Sequence, residues 1–185
     1  MSDRSTEGNR WFLRGRCRKF GDDVPLDGGL MPFRFAIGRV TDPAELIPHL
    51  CEEIRPGFHA EVRRGDILLA GRNFCAGKAH FQGLLAIEAL GLGIVCESMP
   101  YNSRRIAVAT ANTFLTDCAG CTALAEEGDE LEVDFATGRF ANLSRGTVHE
   151  LPPMDSSLRD IVAAGGSKGV IRAWLAAHPE QGVAA

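Results

Sequence analysis

Apolar residues and arginines interleave from Trp11 to Lys19, the period-two rhythm of a half-exposed strand. A loop dense in glycine and acid follows, Gly21 to Gly29. Thr41-Asp42-Pro43-Ala44-Glu45 carries the signals of a helix start. Asp42 can cap, Pro43 suits the first helical position, and Glu45 completes a capping-box spacing. That helix is predicted to run to about Leu50, with His49 on it as a surface or packing residue, and Pro56-Gly57 breaks the chain. Phe58 to Arg63 then leads into a central unit.

The central unit is Asp66 to Ser98. Asp66 to Ala70 is a short apolar run between Gly65 and Gly71, the length of a buried strand. Lys78 to Leu90 carries apolar residues at helical spacing from Phe81 onward, and Gly91 and Gly93 stop it. Ile94 to Cys96 is apolar again. Strand, helix and strand over about thirty residues make a βαβ unit. Glu97 to Arg105 starts a further helix that Ala107 to Ala111 continues, and Thr113 to Asp117 is strand-like. Glu130 to Phe135 and Arg139 to Leu143 alternate on either side of Ala136-Thr137-Gly138, a β-hairpin. A short strand at residues 147 to 151, a helix from Ser156 to about Ala164 and an amphipathic helix from Val170 to Ala177 complete the chain, with Trp174 as a packing residue. The fold class expected is α/β, with a central βαβ unit and a C-terminal hairpin and helices. Residues 1–10 are expected to be a disordered tail, 11–178 one domain and 179–185 a second tail.

The chemistry is expected in the loop Arg72-Asn73-Phe74-Cys75-Ala76-Gly77-Lys78-Ala79-His80, between a strand's carboxyl end and a helix's amino end. Open sheets bind ligands at such edges. A helix start offers unpaired N–H groups and partial positive charge, and Arg72, Lys78 and His80 add cationic donors. An anion, carboxylate or phosphate, is the group such a loop attracts; a tight turn with solvated basic residues is the plain alternative. No phosphate-loop or dinucleotide fingerprint is present, which disfavours a nucleotide.

Composition narrows the classes. At 185 residues, 45% hydrophobic and 24% charged, the chain suits one soluble domain with its own core. A formal net charge of −4 argues against a general nucleic-acid binder. No apolar run reaches the roughly 18 residues of a membrane span, and MSDRSTEGNR lacks the apolar core of a signal peptide, so a cytoplasmic setting is expected. Six scattered cysteines do not make a disulfide framework. Cys118 and Cys121 form a close pair, but no second pair stands at metal-ligand spacing, so no metal site is expected on this chain.

Gly65-Asp66-Ile67, Ala70-Gly71, Asn73-Phe74 and Gly77 resemble the small subunit of 3-isopropylmalate dehydratase, the swivelling domain of the aconitase family. That family carries G-D-I-x-x-A before a loop G-x-N-F-G-C-G-S-S-R-E-H. The flanking Gly21-Asp22-Asp23, the run Gly128 to Asp134, Thr137-Gly138 and Ala164-Gly165-Gly166 fall in the family's order, so the resemblance spans about residues 12 to 176. In the acidic loop Asp22 and Asp27 match and Pro25 does not; after the second strand, Glu97, Ser98 and Arg105 match. The resemblance implies an aconitase-swivel fold and one half of a hydro-lyase, whose partner is a large subunit bearing a 4Fe-4S cluster; no cofactor is bound by this chain. The substrate implied is a small hydroxy-carboxylic acid.

The departures lie in the loop. Where the family has Ser-Ser-Arg this chain has Lys78-Ala79-His80, and Phe81-Gln82 replaces Glu-His. The first serine of that family motif is the base and the arginine grips a carboxylate, so the backbone of the loop transfers and the catalytic side chains do not. The substrate is therefore expected to differ from 3-isopropylmalate. Lys78 and His80 are the catalytic candidates; Arg72, Asn73, Gly77, Lys78, Ala79 and Arg105 are the substrate-binding ones. A lysine acts as a base only where burial and neighbouring cations hold it neutral; as a carboxylate anchor it needs neither, and the anchor role is preferred. His80 suits a shorter donor or, neutral, a base. Three readings compete: such a small subunit, a divergent swivel domain with an iron-independent reaction, and a non-catalytic carboxylate-binding or regulatory subunit.

Overall fold

The computed structural model describes residues 10–179; the two tails foreseen at the termini lie mostly outside that range. Arg10, the first described residue, donates to the backbone oxygens of Val162 and Ala111 at 2.7 and 3.1 Å. The chain then runs β1 (Phe12–Lys19), α1 (Phe33–Ile37), α2 (Pro43–Leu46), a 3₁₀ turn (Ile47–His49), α3 (Phe58–Glu61), β2 (Ile67–Ala70), α4 (Gln82–Leu90), β3 (Gly93–Cys96), α5 (Tyr101–Ala109), β4 (Thr113–Leu115), β5 (Glu130–Asp134), β6 (Arg139–Asn142), β7 (Thr147–Glu150), α6 (Ser156–Ala163) and α7 (Gly166–Ala177).

The strands form one mixed sheet in the order β4-β3-β2-β1-β5-β6-β7. Strands β1 to β4 are parallel, with Cys17 opposite Ile67, Leu68 opposite Ile94 and Ile94 opposite Phe114. Strand β1 pairs antiparallel with β5, which continues into β6 and β7. The expected βαβ unit is β2-α4-β3. Its strands are apolar throughout and fully buried, as parallel strands covered on both faces must be. Strand β1 joins the two halves, and its alternation of arginine with Gly15 and Cys17 gives it one solvent face. The hairpin is β5-β6. Helix α2 packs on α4, while α5, α6 and α7 pack together.

Five helices differ from expectation. Helix α4 begins at Gln82, not Lys78, because Gly77 turns through a positive φ of 85° and the apolar spacing starts only at Phe81; it stops as expected at Gly91, φ 67°. The helix from Thr41 is capped by Asp42, whose Oδ1 accepts from the Ala44 N–H at 2.9 Å, but it tightens to 3₁₀ after Leu46. Pro48 has no N–H to continue an α-helix. The last helix starts at Gly166, four residues early, and Trp174 is 49% exposed, stacked on His178 rather than packed in the core. Helices α1 and α3 are too short to leave a periodic signal.

Candidate functional site

Residues 71–81 leave the carboxyl end of β2 and cross to α4 without regular structure. Three residues here, Asn73, Cys75 and Gly77, have φ of 58°, 66° and 85°. Such backbone costs energy for a non-glycine residue and persists only where neighbours hold it. The neighbours are explicit. The Asn73 N–H donates to Ser98 Oγ at 2.8 Å and its side-chain amide to Asp23 Oδ1 at 2.8 Å. Ser103, buried on α5, donates its hydroxyl to the Cys75 carbonyl at 2.6 Å. The Ala76 N–H donates to the Val24 carbonyl, and Leu26 N–H donates back to Ala76. The acidic loop, β3's end and α5 therefore clamp residues 73–76, while Phe74 and Cys75 are sunk in the core.

Arg72 is exposed and already engaged. Its guanidinium meets Asp22 at 2.6 and 3.0 Å, and its N–H donates to the same carboxylate at 2.8 Å. These bonds hold the Asp22 carboxyl below its usual range. Gly71 must lack a side chain there, since a Cβ would stand 2.0 Å from Asp22 Oδ1. Arg72 thus ties the acidic loop to β2, which fits positioning better than grip on a ligand.

Beyond the clamp, Gly77, Lys78 and Ala79 are exposed and His80 is buried again. Lys78 Nζ lies 5.1 Å from the centre of the Phe33 ring, a cation–π contact, and the His80 ring is 6.0 Å from the same ring. Both nitrogens of His80 are buried without a hydrogen-bond partner, as is Gln82 Oε1. Burial pushes the His80 pKa down; the charge of Asp27 and the nearby Gln82 amide oppose this only in part. The lowered pKa favours the neutral imidazole at neutral pH, and neither ring nitrogen has a well-formed hydrogen bond. The loop so combines an exposed cation with a buried imidazole, both next to one phenyl ring.

The sequence-predicted residues divide accordingly. Gly77, Lys78, Ala79 and His80 stand together at the open end of the loop, Arg72 and Asn73 are fasteners, and Arg105 is exposed on α5 with its guanidinium 5.8 Å over Tyr101 of the same helix. The helix start foreseen at Lys78 lies instead at Gln82, so any macrodipole attraction is centred four residues further on. Phe33 was missed. It lies at the start of a helix of five residues, and a lone aromatic after Pro32 carries no spacing signal. Ser103 was missed too, although two residues on from exposed Tyr101 helical spacing puts it on the opposite, inward face.

The cysteines take no part. All six are buried and free, burial pushes the Cys118 thiol up to about 12, and Cys121 donates to the Ala70 carbonyl. Among the described residues no three His, Cys, Asp or Glu side chains converge as metal ligands, so these residues do not fit an iron–sulfur cluster. No described helix is long and apolar enough to cross a membrane.

The fold recurs in a crystal structure of 3-isopropylmalate dehydratase from Methanocaldococcus jannaschii, with TM-score 0.81 at 26% identity over 92% of this chain and 99% of that one. No protein-family model matches. The 3-isopropylmalate dehydratase small subunit of Moorella thermoacetica is 31% identical over 156 residues, 84% of this chain and 92% of the relative. The chain belongs to the 3-isopropylmalate dehydratase small-subunit family. Within that family the names vary: the methanogen homoaconitase small subunit of Methanothermobacter thermautotrophicus is 33% identical over 84% of this chain and 88% of its own length. The family's mixed seven-stranded sheet is the one described above, and the small subunits named are parts of dehydratases or isomerases.

Proposed function

We propose that the chain is the small subunit of an aconitase-family hydro-lyase acting on a small hydroxy-carboxylic acid other than 3-isopropylmalate. The observation that carries this is the pairing of exposed Lys78 with neutral, unpartnered His80 on a loop held by the family's own scaffold. By the resemblance, a 4Fe-4S cluster on a large partner subunit supplies Lewis acidity toward the substrate hydroxyl. This chain's residues supply the rest. Lys78, exposed and charged, anchors a carboxylate through a charge-assisted hydrogen bond. His80, held neutral by burial, accepts the proton taken from the carbon next to the hydroxyl-bearing one, the C–H electron pair forming the double bond as the hydroxyl leaves as water. Phe33, next to both, offers apolar surface to the substrate. Since the His80 nitrogens are covered, Phe33 or residues 77–81 must move before substrate reaches them. Closure over the assembled complex then keeps water from the reacting carbon.

The test is reconstitution with the large subunit from the same source under anaerobic conditions, assaying hydration of a panel of unsaturated di- and tricarboxylic acids. Turnover is expected in the complex and in neither part alone, with His80→Ala lowering kcat and Lys78→Ala raising KM. Full turnover in both variants would point to a regulatory subunit, and turnover by this chain alone to an iron-independent reaction; either would overturn the proposal.

A further inference from the structure

At the opposite end of the parallel strands, next to Asp66 and Gly65, lies a cleft of about 850 Å³. By strand rise it is about 13 Å or more from the loop after Ala70. Five arginines line it, in a chain whose acids outnumber its Lys and Arg by 24 to 20. The pairing within it is uneven. Arg16 lies opposite Glu130 in the β1–β5 register, yet the Glu130 carboxylate is taken by Arg14 at 2.7 and 2.9 Å. Asp66, almost wholly buried, accepts from Arg18 Nε at 2.8 Å and from the N–H groups of Arg16 and Arg63 at 2.9 and 3.1 Å. Glu61 is drawn outward to Arg55.

The guanidinium groups of Arg16, Arg63 and Arg64 are left with no ion pair or hydrogen bond among the described residues. They are not simply scattered on the surface. Asp66 fixes the backbone of Arg16 and Arg63, and Arg64 rests on Gly91, where a Cβ would stand 2.6 Å from its Nη1. Arg16, Arg63 and Arg64 all line this one concavity, and each unpaired fork is able to hold two oxygens of a carboxylate or phosphate.

We infer that this cleft binds a small polyanion, a phosphate ester or a polycarboxylate, at a site separate from the Lys78 loop. The bounded volume and the Glu61 and Glu130 carboxylates at its rim disfavour an extended polymer such as nucleic acid, whose backbone would meet them. Nothing in the inference depends on which acid the loop takes.

The test is thermal unfolding of the full chain at fixed ionic strength, titrated with pyrophosphate, with citrate, and with sodium chloride as control. A saturable rise in Tm with pyrophosphate or citrate beyond the chloride control is expected; the tighter of the two assigns the ligand to phosphates or to polycarboxylates. The triple variant Arg16→Gln, Arg63→Gln, Arg64→Gln should weaken that binding tenfold or more, while Lys78→Ala leaves it unchanged. No rise beyond chloride, an equal rise in the triple variant, or its loss in Lys78→Ala each overturn the inference. Should the triple variant fail to fold, Arg16→Gln and Arg64→Gln singly carry the test, and unaltered affinity in both overturns it as well. Failure here leaves the hydro-lyase assay untouched, since that assay reads turnover at the loop.

Discussion

The two cationic candidates of the loop differ in what their surroundings let them do. Lys78 is exposed, whereas Arg72 is committed to Asp22. A charge-assisted hydrogen bond to substrate is worth about 1.5–3 kcal/mol, so Lys78→Ala should raise KM in the reconstituted complex about tenfold or more, and Arg72→Ala far less. Equal effects would return Arg72 to the binding set. His80 makes a separate prediction. Its folded pKa lies below the unfolded value of about 6.5, so below 6.5 the unfolded chain binds the proton first. Stability therefore rises with pH across the window from the lowered folded value up to about 6.5 and is then flat for this group. Urea unfolding followed from pH 5 to 7.5 should show that slope, and His80→Phe should reduce it. An unchanged slope in the variant would assign the pH dependence to another group.

Among the elements, those with long apolar periods were legible and those held by single side chains were not. The sequence of β2, α4 and β3 announces itself because Ile67 to Ala70, Phe81 to Leu90 and Ile94 to Cys96 carry strand and helix periods that burial later explains. The partnership of β1 with β5 was invisible, since pairing between residues more than a hundred apart leaves no local mark; only the opposition of Arg14 to Glu132 and Arg16 to Glu130 hints at it afterwards. The open end of the loop was readable as chemistry, from Lys78 and His80, but not as geometry, because the Phe33 ring beside both comes from a short helix far away in sequence. Element ends with a named cause can be tested directly. Asp42→Ala removes the cap of α2 and should cost about 1 kcal/mol by chemical denaturation. Asp66→Ala, which leaves Arg18 and two backbone donors without their acceptor at the start of β2, should cost more, about 3 kcal/mol. A cost for Asp66→Ala no larger than that for Asp42→Ala would mean that water replaces the carboxylate.

At the scale of the whole molecule, the sheet separates two kinds of end. The carboxyl ends of β2 and β3 lead into the strained loop and its fasteners at Asp22, Asp23, Ser98 and Ser103, whereas the amino end of β2 borders the arginine cleft. A small subunit that completes an active site on a partner must present the first end to it. The loop backbone is a sensitive reporter, because Gly77 to Ala79 are exposed and lie outside regular structure. Hydrogen exchange measured on this chain alone, and again after addition of the large subunit, should slow at residues 77–82 and stay unchanged at Gly128 to Glu130. Protection at the cleft with none at the loop would mean that the partner docks on the arginine face. Lys78 and His80 would then lie away from the partner, and the proton acceptor would have to come from the partner.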